Sequence, residues 1–358
     1  MDKSNPNGSQ VRIRDIADAL GLSTATVSNV IHNKTAKISA ATVERVQKAL
    51  DEFGYTPNMA AISLAQNYSP VVGVVVCATQ RYQQAMLTDP FISRMLDSVS
   101  SELESQNYFL MLRRETNILN VPKYARMWNW AGAIFMGFPQ QSYADLEGRM
   151  SVPYLIVDGG TNGNPHYSSA RLDNFSAGFQ VGEYLLENGH RKICYISDAQ
   201  EIKSGSAAGT ASLRYGGLAE AMKQRCPELP APRHYPLPST PEARRHVYEQ
   251  LRLSALRGEL TAVFSVADLF AIELINYLTD SGMKLPEQLS VVGFDDIEPA
   301  SVVRPRLTTF RQNLQERGHA IVSMLMRTIR EHTPPEHVTD PVQMIIRESV
   351  CPPPAMRG

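Results

Sequence analysis

The sequence predicts an α/β protein, two doubly wound parallel-sheet lobes preceded by a small all-α helix-turn-helix headpiece. Three observations carry that expectation. The 358 residues exceed what one hydrophobic core ordinarily organises, so several domains are expected. Residues 11–54 hold three short runs with helical apolar spacing, separated by glycine and serine punctuation. From Val71 onward, short apolar runs alternate with amphipathic stretches, as in parallel sheets covered by helices on both faces.

Each element follows from local chemistry. Residues 1–10 (MDKSNPNGSQ) are polar and are expected to form a disordered tail. Ile13, Ile16, Ala17 and Leu20 recur at helical spacing, and Gly21 is placed to end that helix. Ser23 stands at an N-cap position for a second helix over residues 24–32, with Val27, Val30 and Ile31 as its thin apolar seam. Ser39 caps a third, whose stripe is Val43, Val46, Leu50 and Phe53 and whose stop is Gly54. Only Gly21, Leu22 and Ser23 separate the first two helices, the tight turn that a helix-turn-helix requires. GYTPN (54–58) is a turn signal, and residues 59–66 are a short helix candidate.

The run VVGVVVC (71–77) suits a strand buried on both faces. Further helices are expected over 91–106, 177–188, 212–225 and 268–281. Strands are expected over 108–112, 131–137, 154–158, 192–197, 262–266 and 289–294. Roughly ten strands in this span fit two lobes better than one sheet. Ligands of such sheets bind beyond the carboxyl ends of strands, so the residues just after each strand are the ones to question.

Composition narrows function less than fold. Hydrophobic residues make up 43% and charged residues 20%, and a net charge of −1 favours neither nucleic acid nor a membrane surface. No apolar run approaches the ~20 residues of a membrane span. The polar N-terminus lacks a signal-peptide core, so a cytoplasmic location is expected. Cys77, Cys194, Cys226 and Cys351 are scattered without metal or CxxC spacing, the pattern of reduced structural thiols. No metal or cofactor is expected. A nucleophile elbow and a phosphate loop are also missing, which counts against an enzyme. His190 reads as a helix-end residue favourable to the dipole.

The segments VRIRDIADALGLSTATVSNVIHN and ISAATVERVQKALDEFGYTPNMAAISL strongly resemble the DNA-binding region of the lactose/galactose-repressor (LacI/GalR) family. The resemblance continues in LDNFSAGFQVGEYLLENGHRKICYIS, SLRYGGLAEAM and TAVFSVADLFAIELINYL, then in LPEQLSVVGFDDIEPASVVRPRLTTFRQN and IIRESVCPPP. It covers residues 11–353. It implies a dimeric, effector-controlled transcription regulator, a repressor by preference, that binds pseudo-palindromic double-stranded operator DNA. The headpiece would occupy 11–57, and a hinge helix with its linker 58–69. Two lobes like those of periplasmic binding proteins would clasp a small molecule, a sugar or sugar derivative. They are expected over 70–182 with 312–333, and over 183–311 with 334–353.

By motif position, Thr24, Ala25 and Asn29 would touch base edges in the major groove. Thr26, Ser28 and the Ser23 hydroxyl would serve phosphates, and His32, at the end of the same helix, is a further expected DNA contact. The residue types suit this. Thr24 and Ala25 offer methyl groups to thymine, and Asn29 can pair bidentately with adenine. Relatives often carry Arg where Asn29 stands and Asn where His32 stands, so an A·T preference is expected at the pair read by Asn29. Arg12 replaces the usual Thr or Ser cap of the first helix and is a weaker cap. Residues 1–69 hold seven Lys/Arg against six Asp/Glu, a net of +1. So small an electrostatic contribution makes a dimer necessary for useful affinity. Leu64 matches the family's minor-groove leucine wedge, with Ala61 beside it. A helix this short is marginal alone and is expected to form on DNA.

In the lobes the resemblance assigns effector contacts to Phe91, Asp173, Arg214, Asp268 and Asp295. A guanidinium and carboxylates suit hydroxyl-rich or amide ligands. Three departures touch this site. Ala267 replaces an Asn before Asp268, Ser239 stands where relatives place an aromatic before PE, and residues 79–88 look inserted. Trp128 and Trp130 read as core or lobe-surface residues rather than sugar platforms. The rival reading is a solute-binding protein that delivers a sugar for transport, and the headpiece counts against it. The terminal SVCPPPAMRG cannot continue a helix, so a dimer rather than a tail-mediated tetramer is expected.

Overall fold

A computed structural model describes residues 11–31, 34–56, 69–77, 86–160, 164–199, 201–203 and 209–353. The expected tail, His32, the hinge segment with Ala61 and Leu64, and most of the 79–88 insertion lie outside the described residues. The chain divides into two compact units, Met1–Tyr68 and Ser69–Gly358.

In the first unit, α1 (Ile13–Leu20), α2 (Thr24–Ile31) and α3 (Ala40–Glu52) surround one small core. Ile16, Ala17, Val27, Val30, Val46, Ala49 and Leu50 are buried in it. Gly21 ends α1 at φ 65°, a left-handed cap that glycine adopts without Cβ strain. Ser39 Oγ accepts the Thr42 N–H at 3.3 Å and starts α3. Arg12 does not cap α1 with its side chain; instead the Asp15 carboxylate accepts the Arg12 N–H at 2.8 Å.

The second unit has two lobes. Its first part runs β1 (Val71–Cys77), α4 (Pro90–Ser105), β2 (Phe109–Glu115), α5 (Val121–Met127), β3 (Gly132–Met136), β4 (Tyr154–Val157) and β5 (Ser168–Leu172). There follow α6 (Asn174–Glu187), β6 (Ile193–Ser197), α7 (Thr210–Arg225), β7 (Arg233–Pro236), α8 (Pro241–Leu256), β8 (Ala262–Ser265) and α9 (Asp268–Asp280). The chain ends with β9 (Ser290–Val292), α10 (Glu298–Val302), β10 (Thr309–Arg311), α11 (Leu314–Glu331), β11 (His337–Asp340) and β12 (Gln343–Ile345). The first lobe's sheet is ordered β11-β5-β4-β3-β1-β2 and the second lobe's β7-β6-β8-β9, every pair parallel. Strands β10 and β12 form an antiparallel pair beside the second.

Three glycines set close packing. A Cβ on Gly73 would overlap the ring of Trp130, which is buried under β1. A Cβ on Gly178 would meet the Arg214 carbonyl, and one on Gly217 the Phe175 carbonyl, so α6 and α7 touch backbone to backbone. Trp128, by contrast, is exposed.

The lobe boundaries differ from those expected at 182 and 334. Helix α6 buries Ala177, Val181 and Leu185 in the second core, so the first crossover falls at 172–174. Strand β11 pairs with β5 and therefore extends the first sheet, placing the last crossover at 340–343. The remaining crossover is at 311–314, between β10 and α11. His190 does stand at a helix end, two residues beyond Asn188, the C-cap of α6, but not on the surface. It is buried, with Nδ1 3.0 Å from Thr261 Oγ1 and Nε2 3.0 Å from the Cys351 carbonyl.

Candidate DNA-binding face and ligand cleft

Helix α2 is built with two sides. Val27 and Val30 are sunk in the headpiece core, while Thr24, Ala25 and Asn29 are exposed and Thr26 and Ser28 half-buried. Residues 24, 25, 28 and 29 lie on one helical face, as their spacing requires. Ser23 Oγ accepts the Thr26 N–H at 3.1 Å and lies 2.9 Å from Thr26 Oγ1. These two hydroxyls therefore stabilise the helix start, a structural use beside the phosphate role expected of them. Arg45 donates to the Leu20 carbonyl at 3.2 Å and braces the end of α1 from α3. Helix α2 thus presents short polar and methyl-bearing side chains on the face away from its buried valines.

The second site is a cavity of about 270 Å³ between the lobes. Phe91, Phe138 and Asp158 reach it from the first lobe, Asp198, Arg214 and Asp295 from the second, and Gln312 from a crossover. Asp89 aims Phe91, because its Oδ1 accepts the N–H groups of Phe91 and Ile92 at 3.0 and 3.1 Å and starts α4. Arg214 is buried and fully positioned. Its Nε donates to Asn174 Oδ1 at 2.9 Å, its Nη1 donates to the Val266 carbonyl, and its plane lies over Phe294. Asp295 has φ 115° and Asp296 φ 49°, both in the left-handed region and costly for non-glycine residues. Asp296 is locked by Arg311 Nε at 2.7 Å and Arg347 Nη2 at 2.5 Å, and Gln312 Nε2 donates to Asp295 Oδ1 at 2.7 Å.

Three of the five expected effector residues, Phe91, Arg214 and Asp295, thus line one cavity. Two do not. Asp173 is exposed and spends its carboxylate as the N-cap of α6, accepting the Ser176 N–H at 3.0 Å. Asp268 is completely buried behind the wall, where Oδ1 accepts the Thr309 hydroxyl at 2.6 Å and Oδ2 the Ile297 N–H at 3.0 Å. Burial pushes its carboxyl up to about 7, against the pull of those two donors. Sequence reasoning missed Asp158, Asp198 and Gln312. The first two end or immediately follow strands β4 and β6, so the strand-end rule applied residue by residue would have found them. Neither tryptophan lines the cavity.

Among the described residues no group of three or more His, Cys, Asp or Glu could hold a metal ion. No described helix is long and apolar enough to cross a membrane. The described cysteines carry no disulfide, and burial with the nearby Glu115 carboxylate pushes the Cys77 thiol up to about 11.

Comparison with known proteins gives two family matches. Residues 12–58 match bacterial regulatory proteins of the lacI family, and residues 183–350 match a periplasmic binding protein-like domain. The HTH-type transcriptional repressor PurR of Vibrio parahaemolyticus is 30% identical over 348 residues, covering 94% of this chain and 98% of that protein. PurR of Pectobacterium atrosepticum is 28% identical over 92% of this chain and 93% of its own length. Among solved structures, the lac repressor dimer bound to operator and the anti-inducer ONPF superposes with TM-score 0.82 at 22% identity, covering 96% of this chain and all of that one. A complex of the transcriptional regulator CelR with cellobiose gives 0.65 at 23% identity, covering 95% and 100%.

Proposed function

The chain belongs to the lacI family of bacterial regulatory proteins, and on that premise we propose that it is a cytoplasmic repressor whose grip on DNA is set by a small molecule. It is a helix-turn-helix transcriptional regulator and not an enzyme. It binds a pseudo-palindromic operator as a homodimer, with one α2 in each of two major grooves. Thr24, Ala25 and Asn29 read bases, Thr26 and Ser28 hold phosphates, and His32 extends that contact. Leu64, with Ala61, wedges the minor groove between the half-sites. The observation that carries this reading is α2 itself, whose exposed face offers methyls, hydroxyls and one amide above a buried valine seam. The operator-bound dimer among its structural neighbours supports it.

The effector is a sugar or sugar derivative held in the interlobe cavity by Phe91, Arg214 and Asp295, joined by Asp158, Asp198 and Gln312. A structural neighbour carrying cellobiose supports that choice. A ligand can shift operator affinity only by binding the two lobe settings unequally.

The test is binding-site selection from a randomised duplex with the purified full chain and with a chain lacking residues 1–68. The full chain should enrich a symmetric site whose halves lie about one turn, ~34 Å, apart, and the truncated chain should enrich nothing. Enrichment without symmetry, or by the truncated chain, would sink the proposal. A thermal-shift screen of neutral sugars then identifies the effector, since a bound ligand raises the melting temperature.

A further inference from the structure

One buried cation joins the cavity to the crossovers. Arg317, on the first turn of α11, is 3% exposed and lies outside the cavity lining. Its Nη2 donates to Asp158 Oδ1 at 2.8 Å, on the first lobe's wall of the cavity. Its Nη1 donates to Gln312 Oε1 at 2.8 Å, and the same amide, through Nε2, holds Asp295 on the second lobe's wall. Its Nε donates to Asp340 Oδ2 at 3.2 Å. Gln312 and Asp340 belong to two crossovers, and the Asp340 carbonyl accepts the N–H of Asp173, in the third, at 3.0 Å. The helix that carries Arg317 is itself fixed, because a Cβ on Gly318 would overlap Ser98 of α4. On its other side Arg317 lines a groove of about 810 Å³ along the crossovers, and its partner Gln312 lines both that groove and the cavity.

We propose that Arg317 is the positioning residue of the interlobe site. It sets Asp158 directly and Asp295 through Gln312, and it ties all three crossovers together, so that a ligand engaging either carboxylate acts on the hinge. A guanidinium is suited to this, because its planar fork serves several acceptors at fixed angles. The inference rests on the reading of the cleft as the effector site, but its test needs no effector. Failure here would leave the operator and sugar assays untouched.

The test is hydrogen exchange of the full chain, read by mass spectrometry. Arg317→Met strands two half-buried carboxylates and risks misfolding, so it is paired with a triple variant that adds Asp158→Asn and Asp340→Asn. Arg327→Met is the control, since Arg327 lies on the same helix and pairs with Glu336 at 2.7 Å without touching a crossover. In the triple variant, peptides covering 172–174, 311–314 and 340–343 should exchange about tenfold faster, while those of α7 and β8 keep their protection. The control should leave the crossovers unchanged. Crossover protection that stays at the wild-type level would overturn the proposal. So would a uniform loss across the chain, failure of the triple variant to fold, or the same pattern in Arg327→Met, because each makes Arg317 a general stability residue.

Discussion

The guanidinium of Arg214 lies 3.2 Å from the centroid of the Phe294 ring, and Phe294 is stacked on Phe310 at 5.3 Å. A cation over an aromatic face, with two of its nitrogens committed to Asn174 and Val266, is held in place whatever occupies the cavity. Binding therefore costs little side-chain ordering at this residue. Arg214→Ala is expected to leave operator binding within about twofold of wild type and to abolish the effector's thermal shift. An electrophoretic mobility titration with and without effector checks both halves.

Asp295 stores strain on the wall of the cavity. A non-glycine residue at φ 115° costs about 1–3 kcal/mol. Asp295→Gly relieves that and loses the Gln312 hydrogen bond, worth about 1 kcal/mol. Urea unfolding should place the variant within about 1 kcal/mol of wild type or above it. Its effector response should nevertheless be lost. A stability drop several times larger would show that the carboxylate is chiefly structural.

Asn29 is exposed on α2, so changing it tests DNA reading without disturbing the fold. Asn29→Arg should move the selected operator from A·T towards G·C at one pair in each half-site, by about 1–3 kcal/mol of discrimination. The melting temperature should not move. An unchanged selected site would remove Asn29 from base readout.

The carboxyl of Asp268 is raised by burial from the ordinary 3.8 to about 7. Between those values the folded chain keeps a proton that the unfolded chain has lost. Stability therefore falls as pH rises from about 4 to about 7, and the loss is complete above that window. Asp268→Asn keeps one acceptor oxygen for the two donors Ile297 N–H and Thr309 hydroxyl, which adds a constant offset. The informative quantity is the slope. Unfolding midpoints at the two ends of the window should differ less in the variant than in the wild type.

Gly178→Ala drives a methyl into the Arg214 carbonyl, a backbone atom that no rotamer change can move aside. The expected cost is about 3 kcal/mol, with loss of effector response because α7 carries Arg214 outward. Gly258→Ala tests a different physics. That glycine has φ 69° and open space around it, so only the strain of an ordinary side chain in the left-handed region should appear. Denaturant midpoints for the two variants separate crowding from backbone strain.

How far the sequence was legible depended on which signals were local. Helices α1 and α3 and the start of α2 could be placed because Gly21, Ser23 and Ser39 punctuate them chemically. Strand β1 stood out because it is buried on both faces. Helix α8 did not, since only Arg244, Tyr248 and Leu251 of its sixteen residues are buried, and one of these is a cation paired with Glu273. Strand β2 was expected to end at 112 but continues to Glu115, because an edge strand carries Arg113 and Arg114 outward without penalty. Asp173 and Asp268 show the limit of motif matching. Both stand where the motif predicts, yet one caps a helix and the other anchors a loop, and only three-dimensional neighbours distinguish these uses.

The backbone-to-backbone contact of α6 with α7 bears on how this repressor can acquire new signals. Because Gly178 and Gly217 leave no side-chain cushion between the helices, their separation cannot be tuned by exchanging one residue size for another. The wall that presents Thr210 and Arg214 is a fixed gauge. On the opposite jaw, where Phe91 and Phe138 stand, residue volume can vary against that constant reference.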